Sequence, residues 1–369
     1  MPDTYPKFKA AVVQAAPVFI NREATVEKAC QLILEAGKGG AQLVAFPEVF
    51  IPGYPYWIWM DVPLSYGPWQ RRLFKEAVEI PSESTEALCR AAKAADTYVV
   101  IGVNEKTSTS MSALWNTNIV IDRRGTILGK CRKLQPVSVE KVVWSLGDGS
   151  ALRVFDTDIG KLGTLICGVN ANPLARYALL AQGEQIHVAN YPAFPASAGF
   201  DFTDQIRVRS RAHSHEGNVF TLVANSTLSQ EMLEMLGDTE SKRQWLSGRP
   251  ASYSAIFGPG AEPVAELVDE EGILYADIDI EEEIDQKQVV DTIVRDTRFD
   301  VVSLNLNTDE GSGIKLFSGG QETGEKRLKP LFTSELQALL RRNIAELGQT
   351  SDLLRQLVEQ GAAGKSHKP

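Results

Sequence analysis

The sequence contains few of the residues that would build a metal centre or a disulfide framework. Only four cysteines and four histidines occur among its 369 residues. The cysteines stand at positions 30, 89, 131 and 167, and no two of them have the short spacing of a zinc-binding pair. We therefore expect neither disulfides nor a structural zinc site.

Two further absences exclude whole classes of partner. The 38 lysines and arginines are scattered and outnumbered by 47 acidic residues, so the basic stripe of a nucleic-acid-binding protein is missing. No apolar run is long enough to span a bilayer. The first residues, Met1 to Lys7, lack the charged flank and apolar stretch of a secretory signal. We expect a cytoplasmic protein with neither a nucleic-acid nor a membrane partner.

Short apolar segments alternate with amphipathic ones along most of the chain, and this order is typical of layered α/β proteins. Strands are predicted, for example, over residues 9–14, 42–46 and 162–166. A helix is predicted to begin after Asn21, whose side chain is suited to capping it. The order of elements predicts two sheets packed face to face, with helices on the outside.

The composition changes near residue 300. Residues 305–327 are polar and glycine-rich, and a segment with Leu336, Leu339, Leu340 and Ile344 on one helical face follows. That apolar face needs a partner, which is either another subunit or the chain's own domain. We therefore divide the sequence into a domain over residues 1–300 and a C-terminal extension over residues 301–369. The extension is predicted to make subunit contacts and to end in disorder.

Cys167 is the first candidate for chemistry. It follows the apolar run Leu162–Ile166 and precedes Gly168, and a predicted helix begins a few residues later. Backbone N–H groups at such a junction can face a developing negative charge, and a helix N-terminus lowers the pKa of a thiol. The alternative is an inert buried cysteine, because free cysteines are often buried.

A carboxylate and an amine end two other predicted strands. Glu48 follows Phe46 and Pro47, and its neighbouring aromatic segment would raise the pKa of a carboxyl group and suit it to proton transfer. Lys133 follows the strand that ends near Cys131, where a fixed cation would stabilise an anionic adduct. Taken singly, Glu48 could equally be a solvated loop carboxylate, and Lys133 by itself is more typical of an ordinary surface lysine.

Together, Glu48, Lys133 and Cys167 in this order resemble the Glu-Lys-Cys signature of the nitrilase, or carbon–nitrogen hydrolase, superfamily. The likeness covers roughly residues 7–300 and is strongest for the branch that hydrolyses nitriles. The segments that carry it include Ile51-Pro52-Gly53-Tyr54-Pro55, Gly147-Asp148-Gly149, Asn172-Pro173-Leu174-Ala175-Arg176-Tyr177 and Ala181-Gln182-Gly183-Glu184-Gln185-Ile186-His187.

The resemblance implies a fold and an assembly. The fold would be an α/β protein of the four-layer αββα sandwich type, with the C-terminal extension added to it. Members of this superfamily pair into eight-layer dimers, and nitrilases often build spiral oligomers through their C-terminal tails. We therefore expect a homo-oligomer with a dimer as its building block.

The resemblance also implies a covalent mechanism without any metal or organic cofactor. Cys167 would attack a nitrile while Glu48 accepts its proton, giving a thioimidate and then a thioester that water cleaves to the carboxylic acid. Lys133 and the backbone N–H of Gly168 would hold the charged adduct. Glu140 resembles an additional family glutamate that orients Lys133 and the attacking water; a surface carboxylate is the alternative.

The sequence departs from the family pattern close to these residues. Val169 stands where nitrilases usually carry glutamate, and Ser138 stands where they usually carry histidine. Both changes remove polarity but leave the three core groups. They are consistent with a shifted substrate, a shifted ratio of acid to amide, or reduced activity.

Aromatic segments after Glu48 and after the predicted strand near residue 189 suggest an apolar substrate pocket. We predict that Tyr54, Gly168, Val169 and Tyr191 contact a small nitrile; packing of the first segment against a lid or neighbouring subunit is the alternative. An amidase or carbamoylase, a cyanide-hydrolysing enzyme and a catalytically weakened assembly protein remain open. The absence of a Cys-Tyr-Asp run disfavours the amidase and carbamoylase branches.

Overall fold

The computed structural model describes residues 3–196 and 200–310, and the structural statements below refer to those residues. None of the helices in these two ranges is long and apolar enough to cross a membrane. The helical segment predicted around Leu336 to Ile344 lies outside the described residues.

Twelve strands are present among the described residues. In chain order they are β1 (Lys7–Gln14), β2 (Ala41–Ala45), β3 (Tyr98–Lys106), β4 (Leu114–Ile121), β5 (Ile127–Arg132), β6 (Phe155–Thr157), β7 (Gly160–Ile166), β8 (Ile186–Tyr191), β9 (Phe220–Asn225), β10 (Tyr253–Phe257), β11 (Pro263–Val268) and β12 (Gly272–Asp279).

The described α-helices lie between these strands and after the last of them. They are α1 (Arg22–Lys38), α2 (Trp57–Met60), α3 (Gly67–Glu76), α4 (Glu83–Ala95), α5 (Pro173–Leu180), α6 (Phe202–Gly217), α7 (Gln230–Leu236), α8 (Glu240–Leu246) and α9 (Glu282–Val289). Short 3₁₀ turns cover Pro63–Ser65, Ser138–Val142, Gly149–Ala151 and Cys167–Ala171.

The strands form two six-stranded mixed sheets. The first has the order β12-β1-β2-β3-β4-β5, and the second has the order β11-β10-β9-β8-β7-β6. In the first sheet the parallel pairs are β1–β2 and β2–β3; in the second they are β7–β8 and β8–β9. Parallel strands end at the same edge, so each sheet carries several strand ends side by side.

Burial defines four layers. Leu43 and Val100 of the first sheet share one apolar cluster with Val188 of the second, so the sheets pack face to face. Ile33 of α1 packs on the outer face of the first sheet, and Ile206 of α6 packs on the outer face of the second. The αββα sandwich predicted from the sequence is therefore confirmed.

A buried polar link joins the sheets near the site described below. Asn118 of β4 donates through Nδ2 to Thr164 Oγ1 of β7 at 2.7 Å. Asn190 of β8 donates to Asn118 Oδ1 at 2.6 Å. Buried amides are costly unless they are paired, so this link favours one alignment of the two sheets over others.

Candidate active site

Glu48 lies in the loop that follows β2, and this loop runs beside β3. Phe46 N donates to Val100 O at 2.8 Å, and Asn104 N donates to Ile51 O at 2.8 Å. There is no room for a side chain on β3 beneath the loop, because a Cβ at Gly102 would lie 2.5 Å from the Pro47 carbonyl oxygen and closer still to a neighbouring amide. The loop therefore holds Glu48 fully buried between the sheets.

Lys133 follows β5 directly and is also fully buried. Its backbone N–H donates to Asn116 O at 2.7 Å, which continues the pairing of β5 with β4 for one more residue. Its Nζ lies 2.7 Å from Glu48 Oε1 and 2.7 Å from Glu140 Oε2. One ammonium group is thus shared by two buried carboxylates.

Glu140 reaches this ammonium from the 3₁₀ turn Ser138–Val142. Its Oε2 also accepts a hydrogen bond from Val137 N at 2.8 Å, and its Oε1 accepts one from Tyr54 Oη at 2.9 Å. Trp59 Nε1 in turn donates to Tyr54 Oη at 3.0 Å. These bonds fix the carboxylate in its contact with Lys133.

Cys167 enters from the second sheet, at the end of β7. Its φ of +48° lies in the left-handed region, which costs a residue other than glycine about 1 kcal/mol or more. Asn170 spans the turn behind it, donating through Nδ2 to Leu165 O at 3.0 Å and to Cys167 O at 3.1 Å. Sγ of Cys167 and one carboxylate oxygen each of Glu48 and Glu140 lie within 4.8 Å of one another.

The environment makes Glu48 a weak acid. Burial raises its pKa to about 6, Lys133 opposes this shift, and the Glu140 charge adds to it. Glu48 Oε1 accepts from Asn116 Nδ2 at 2.6 Å and from Lys133, whereas Oε2 has no hydrogen-bond partner among the described residues. An oxygen is therefore available to accept a proton near neutral pH.

The thiol and the amine of the site are held in fixed protonation states. Burial, with a further contribution from Glu48, raises the pKa of the Cys167 thiol well above its usual range, so the resting sulfur is protonated. Burial works against the charge of Lys133, but Glu140 and Glu48 outweigh it and raise its pKa, so the ammonium persists. Attack by the sulfur must accordingly be accompanied by proton transfer to a neighbouring base.

A second buried polar chain continues behind the cysteine turn. Asn170 Oδ1 lies 2.9 Å from His187 Nε2, and His187 Nδ1 lies 2.7 Å from Glu184 Oε1. The other carboxylate oxygen of Glu184 lies 2.8 Å from His213 Nε2. Although burial works against it, the two histidines lower the pKa of Glu184 to about 2. This chain anchors the turn to β8 and α6.

Within the described part of the chain, two groups of side chains have donor atoms close enough to surround a cation: Glu184 with His187 and His213, and Glu48 with Glu140 and Cys167. In the first group, the carboxylate oxygens are already paired with the two imidazole rings. In the second, the Lys133 ammonium already lies between the two carboxylates. Neither arrangement favours a metal ion.

A cavity of about 520 Å³ opens above Cys167. Its wall is mainly aromatic and apolar, with a few polar groups. The residues that line it are Tyr54, Trp59, Val137, Glu140, Cys167, Gly168, Ala171, Pro192, Phe194, Phe200, Phe202, Gln205, Arg209 and Trp245. Its size is within the range usual for sites of small molecules.

The structure brings two of the four predicted substrate residues to this cavity. Tyr54 and Gly168 line it, but Val169 and Tyr191 do not. Val169 belongs to an apolar cluster with Leu165, because the 3₁₀ turn directs its side chain toward α5 rather than toward the cavity. Tyr191 is buried behind the wall, with its ring 6.0 Å from that of Phe202. Direct substrate contact by Val169 and Tyr191 is therefore not supported.

Sequence reasoning missed several residues of the site. Asn116, Asn170 and Arg209 were not singled out, because asparagines in strands and turns and arginines on helices are ordinary. Only strand pairing reveals that Asn116 lies beside Glu48, and only the packing of α6 brings Arg209 to the cavity.

Comparisons with known proteins agree with this geometry. The model of the carbon–nitrogen hydrolase family matches residues 9–288. An aliphatic nitrilase of Rhodococcus rhodochrous is 38% identical over 309 residues, covering 81% of this chain and 82% of that protein. A nitrilase of Bacillus sp. strain OxB-1 is 36% identical over 324 residues, covering 86% and 94%.

A solved structure extends the comparison to the fold. Saccharomyces cerevisiae Nit3, a member of branch 10 of the nitrilase superfamily, superimposes with a TM-score of 0.64 at 22% identity, covering 80% of this chain and 97% of that one. The family match spans most of the sequence, and the sandwich fold is shared. The chain therefore belongs to the carbon–nitrogen hydrolase family.

Proposed function

We propose that the protein is a nitrilase, which hydrolyses an organic nitrile to the carboxylic acid and ammonia. One observation carries the proposal: the thiol of Cys167 lies within 4.8 Å of carboxylate oxygens of Glu48 and Glu140, these two carboxylates share the Lys133 ammonium, and Cys167 and Glu140 line the cavity. The nitrilases among its relatives, at 36–38% identity over most of the chain, support nitriles as the substrate class.

In the first half of the reaction, Glu48 takes the proton of Cys167 as the sulfur adds to the nitrile carbon. The proton passes to the nitrile nitrogen, so the product is a neutral thioimidate. The raised pKa of Glu48, about 6, suits it to both accepting and returning a proton. The Lys133 ammonium stabilises the negative charge that develops on nitrogen.

In the second half, Glu48 removes a proton from water as the water adds to the thioimidate carbon. The nitrogen gains protons and leaves as ammonia, which gives a thioester on Cys167. A second water cleaves the thioester to the acid and restores the thiol, so one nitrile consumes two waters. Glu140 keeps Lys133 oriented, and the backbone N–H of Gly168 helps to hold the tetrahedral adducts.

We further propose that the enzyme acts in the cytoplasm as a homo-oligomer, with dimers extending into a spiral through residues 301–369. The exposed apolar side chains near the end of the domain support this: Val289, Val294, Val301 and Val302 are each more than 60% exposed. Such a series favours burial against another surface. Light scattering and electron microscopy of the full chain beside a form ending at residue 310 test the assembly; an unchanged particle size contradicts the role of the extension.

The activity is tested by ammonia release from aryl, arylalkyl and aliphatic nitriles and from cyanide, each organic nitrile beside its matching amide. A nitrilase releases ammonia from nitriles, whereas faster release from the amides indicates an amidase. Cyanide as the only substrate indicates a cyanide-hydrolysing enzyme. Release from none of them contradicts an active enzyme and leaves an assembly protein.

The nucleophile is tested in the same assay. Cys167→Ala should abolish turnover without changing the oligomer size. Cys89→Ala, which changes a half-buried thiol on α4, is the matched control and should retain turnover. Unchanged turnover in Cys167→Ala would refute the assignment.

A further inference from the structure

One wall of the cavity carries a cation that lacks an acidic partner. Arg209 lies on α6, is half-buried and lines the cavity beside Gln205, one turn earlier. Its Nη2 donates to Gln205 Oε1 at 2.6 Å, and its guanidinium carbon lies 6.0 Å from the centre of the Phe202 ring. Among the residues that the structure describes, no carboxylate forms an ion pair with it.

The neighbouring arginines of the same helix are satisfied in other ways. Arg207 lies over the Tyr253 ring at 4.2 Å and has Glu266 at 3.6 Å. Arg211 donates through Nε to Ala261 O at 3.1 Å. Neither of these two arginines lines the cavity. Arg211, like Arg209, has no acidic partner among the described residues, but of these three arginines it is Arg209 that lines the cavity.

A guanidinium has five N–H donors in a planar fork that matches a carboxylate. A partly buried charge whose partner is a neutral amide has lost hydration without gaining an opposite charge. At Arg209, the mainly apolar cavity wall therefore offers N–H donors that have no acidic partner among the described residues. An anionic group on a ligand would use them better than water or an apolar group could.

The rest of the wall defines the remainder of the ligand. Trp59, Phe194, Phe200 and Trp245 present aromatic surface to the cavity. Phe194 lies at the centre of this surface, with the Trp59 and Trp245 rings 5.1 and 5.3 Å from it in edge-on contact. An aromatic or apolar body fits such a wall.

From these observations, and resting on the nitrilase function proposed above, we propose that Arg209 is a specificity-determining residue. It binds a carboxylate carried by an aryl or arylalkyl nitrile whose cyano carbon faces Cys167. Arg209 lines the same cavity as Cys167, and burial raises the pKa of the thiol while the positive charge of Arg209 opposes that rise. A purely electrostatic role would change the turnover of all substrates alike, whereas recognition changes their ranking.

The test compares three substrates that differ at one substituent: phenylacetonitrile, 4-(cyanomethyl)benzamide and 4-(cyanomethyl)benzoate, with the 3-substituted isomers in parallel. Values of kcat/KM are measured for wild type, Arg209→Met and Arg207→Met. Wild type should prefer one benzoate isomer over its benzamide by about tenfold or more, because a hydrogen-bonded carboxylate–arginine pair is stronger than a neutral contact. Arg209→Met should lower this preference by at least about tenfold.

Arg207→Met is the matched control, since it removes an arginine from the same helix outside the cavity. Arg207→Met should leave the preference for the benzoate over the benzamide unchanged. Arg209→Glu should reverse the preferred charge of the substituent, so that the cationic 4-(cyanomethyl)benzylamine is hydrolysed in preference to 4-(cyanomethyl)benzoate. If Arg209→Met proves unstable, calorimetric binding of 4-(cyanomethyl)benzoate to Cys167→Ala, with and without Arg209→Lys, gives the same comparison without turnover; the shorter lysine should weaken binding several-fold.

The outcomes separate this proposal from the one on which it rests. No ammonia from any nitrile means that the nitrilase function is wrong. Turnover of phenylacetonitrile with no carboxylate preference in wild type overturns the role of Arg209. An equal loss for all three substrates in Arg209→Met also overturns it, because that result shows only an effect on the thiol.

Discussion

Glu140 shares the Lys133 ammonium with Glu48, so Glu140→Gln tests whether the site behaves as one electrostatic unit. The substitution keeps the shape of the side chain but removes its charge. The Glu140 charge raises the pKa of Glu48, which is about 6 in the intact site. Removing it should lower that pKa, so the base stays ionised to lower pH, and the acidic limb of the kcat/KM profile should move downward.

The size of the shift follows from the geometry. One oxygen of each carboxylate lies within 4.8 Å of the other, and at an effective dielectric of about 20 two charges at that separation repel by about 3.5 kcal/mol. This corresponds to roughly 2.5 pKa units, which the Lys133 ammonium in contact with both carboxylates reduces. We therefore expect the midpoint of the acidic limb of the kcat/KM profile to move from about pH 6 to a pH lower by about one unit or more. The loss of a charged hydrogen bond to Lys133 should also lower kcat by about ten- to a hundredfold.

The assay is the initial rate of ammonia release from phenylacetonitrile between pH 4 and 9. Glu105→Gln is the control, because Glu105 is another buried carboxylate of the first sheet, paired with Lys130 and Arg132 outside the cavity. Glu105→Gln should lower the melting temperature and leave the midpoint pH of the acidic limb unchanged. A midpoint that is unchanged or higher in Glu140→Gln would refute the electrostatic coupling of Glu140 to Glu48.

Three further substitutions test other parts of the site. Lys133→Met removes the cation that lowers the pKa of Glu48, so the acidic limb should move above pH 6 and kcat should fall by about a hundredfold or more; a limb that moves downward contradicts this. Gly102→Ala should displace the loop that carries Glu48 and lower kcat by about a hundredfold, whereas Gly67→Ala, where a Cβ meets no atom within 4 Å, should retain activity. Asn170→Ala removes two hydrogen bonds to the turn that carries Cys167, so it should lower kcat by about tenfold and the free energy of unfolding by about 1–3 kcal/mol. Ammonia release and denaturant titration measure the two effects. An unchanged kcat would mean that the turn keeps its conformation without Asn170.

The sequence predicts the alternation of strands and helices well, because this information is local. Asn21 caps α1 as expected, its side chain accepting a hydrogen bond from Ala24 N at 3.1 Å. The strand predicted over residues 162–166 begins two residues earlier, at Gly160. These features depend on periodicity and capping within a few residues.

Long-range pairing is not predictable in this way. The prediction has no strand at Gly272–Asp279, although β12 pairs with β1 along its whole length. Six of its eight residues are exposed or partly exposed, and the partner strand lies more than 250 residues away, so no local pattern reveals the pairing. No helix is predicted at α3, α7 or α8 either, since they are short and share an apolar cluster with the segment after Glu48 rather than forming part of the regular alternation.

The site residues likewise divide into those that local sequence indicates and those that only long-range packing reveals. Glu48, Lys133 and Cys167 could be singled out because each follows a strand, and the ends of strands from two facing sheets can meet. What the sequence could not reveal is the direction of each side chain. Val169 follows Cys167 closely but packs toward α5, whereas Arg209, which is 42 residues from Cys167, lines the same cavity.

The most direct test of the central claim is to identify the residue that becomes bonded to substrate. The enzyme is quenched in acid during turnover of phenylacetonitrile, digested, and analysed by peptide mass spectrometry. We expect the peptide containing Cys167 to carry the thioimidate or thioester adduct in wild type, and expect no adduct in Cys167→Ala. An adduct on a different residue, or full turnover in Cys167→Ala, would contradict the account.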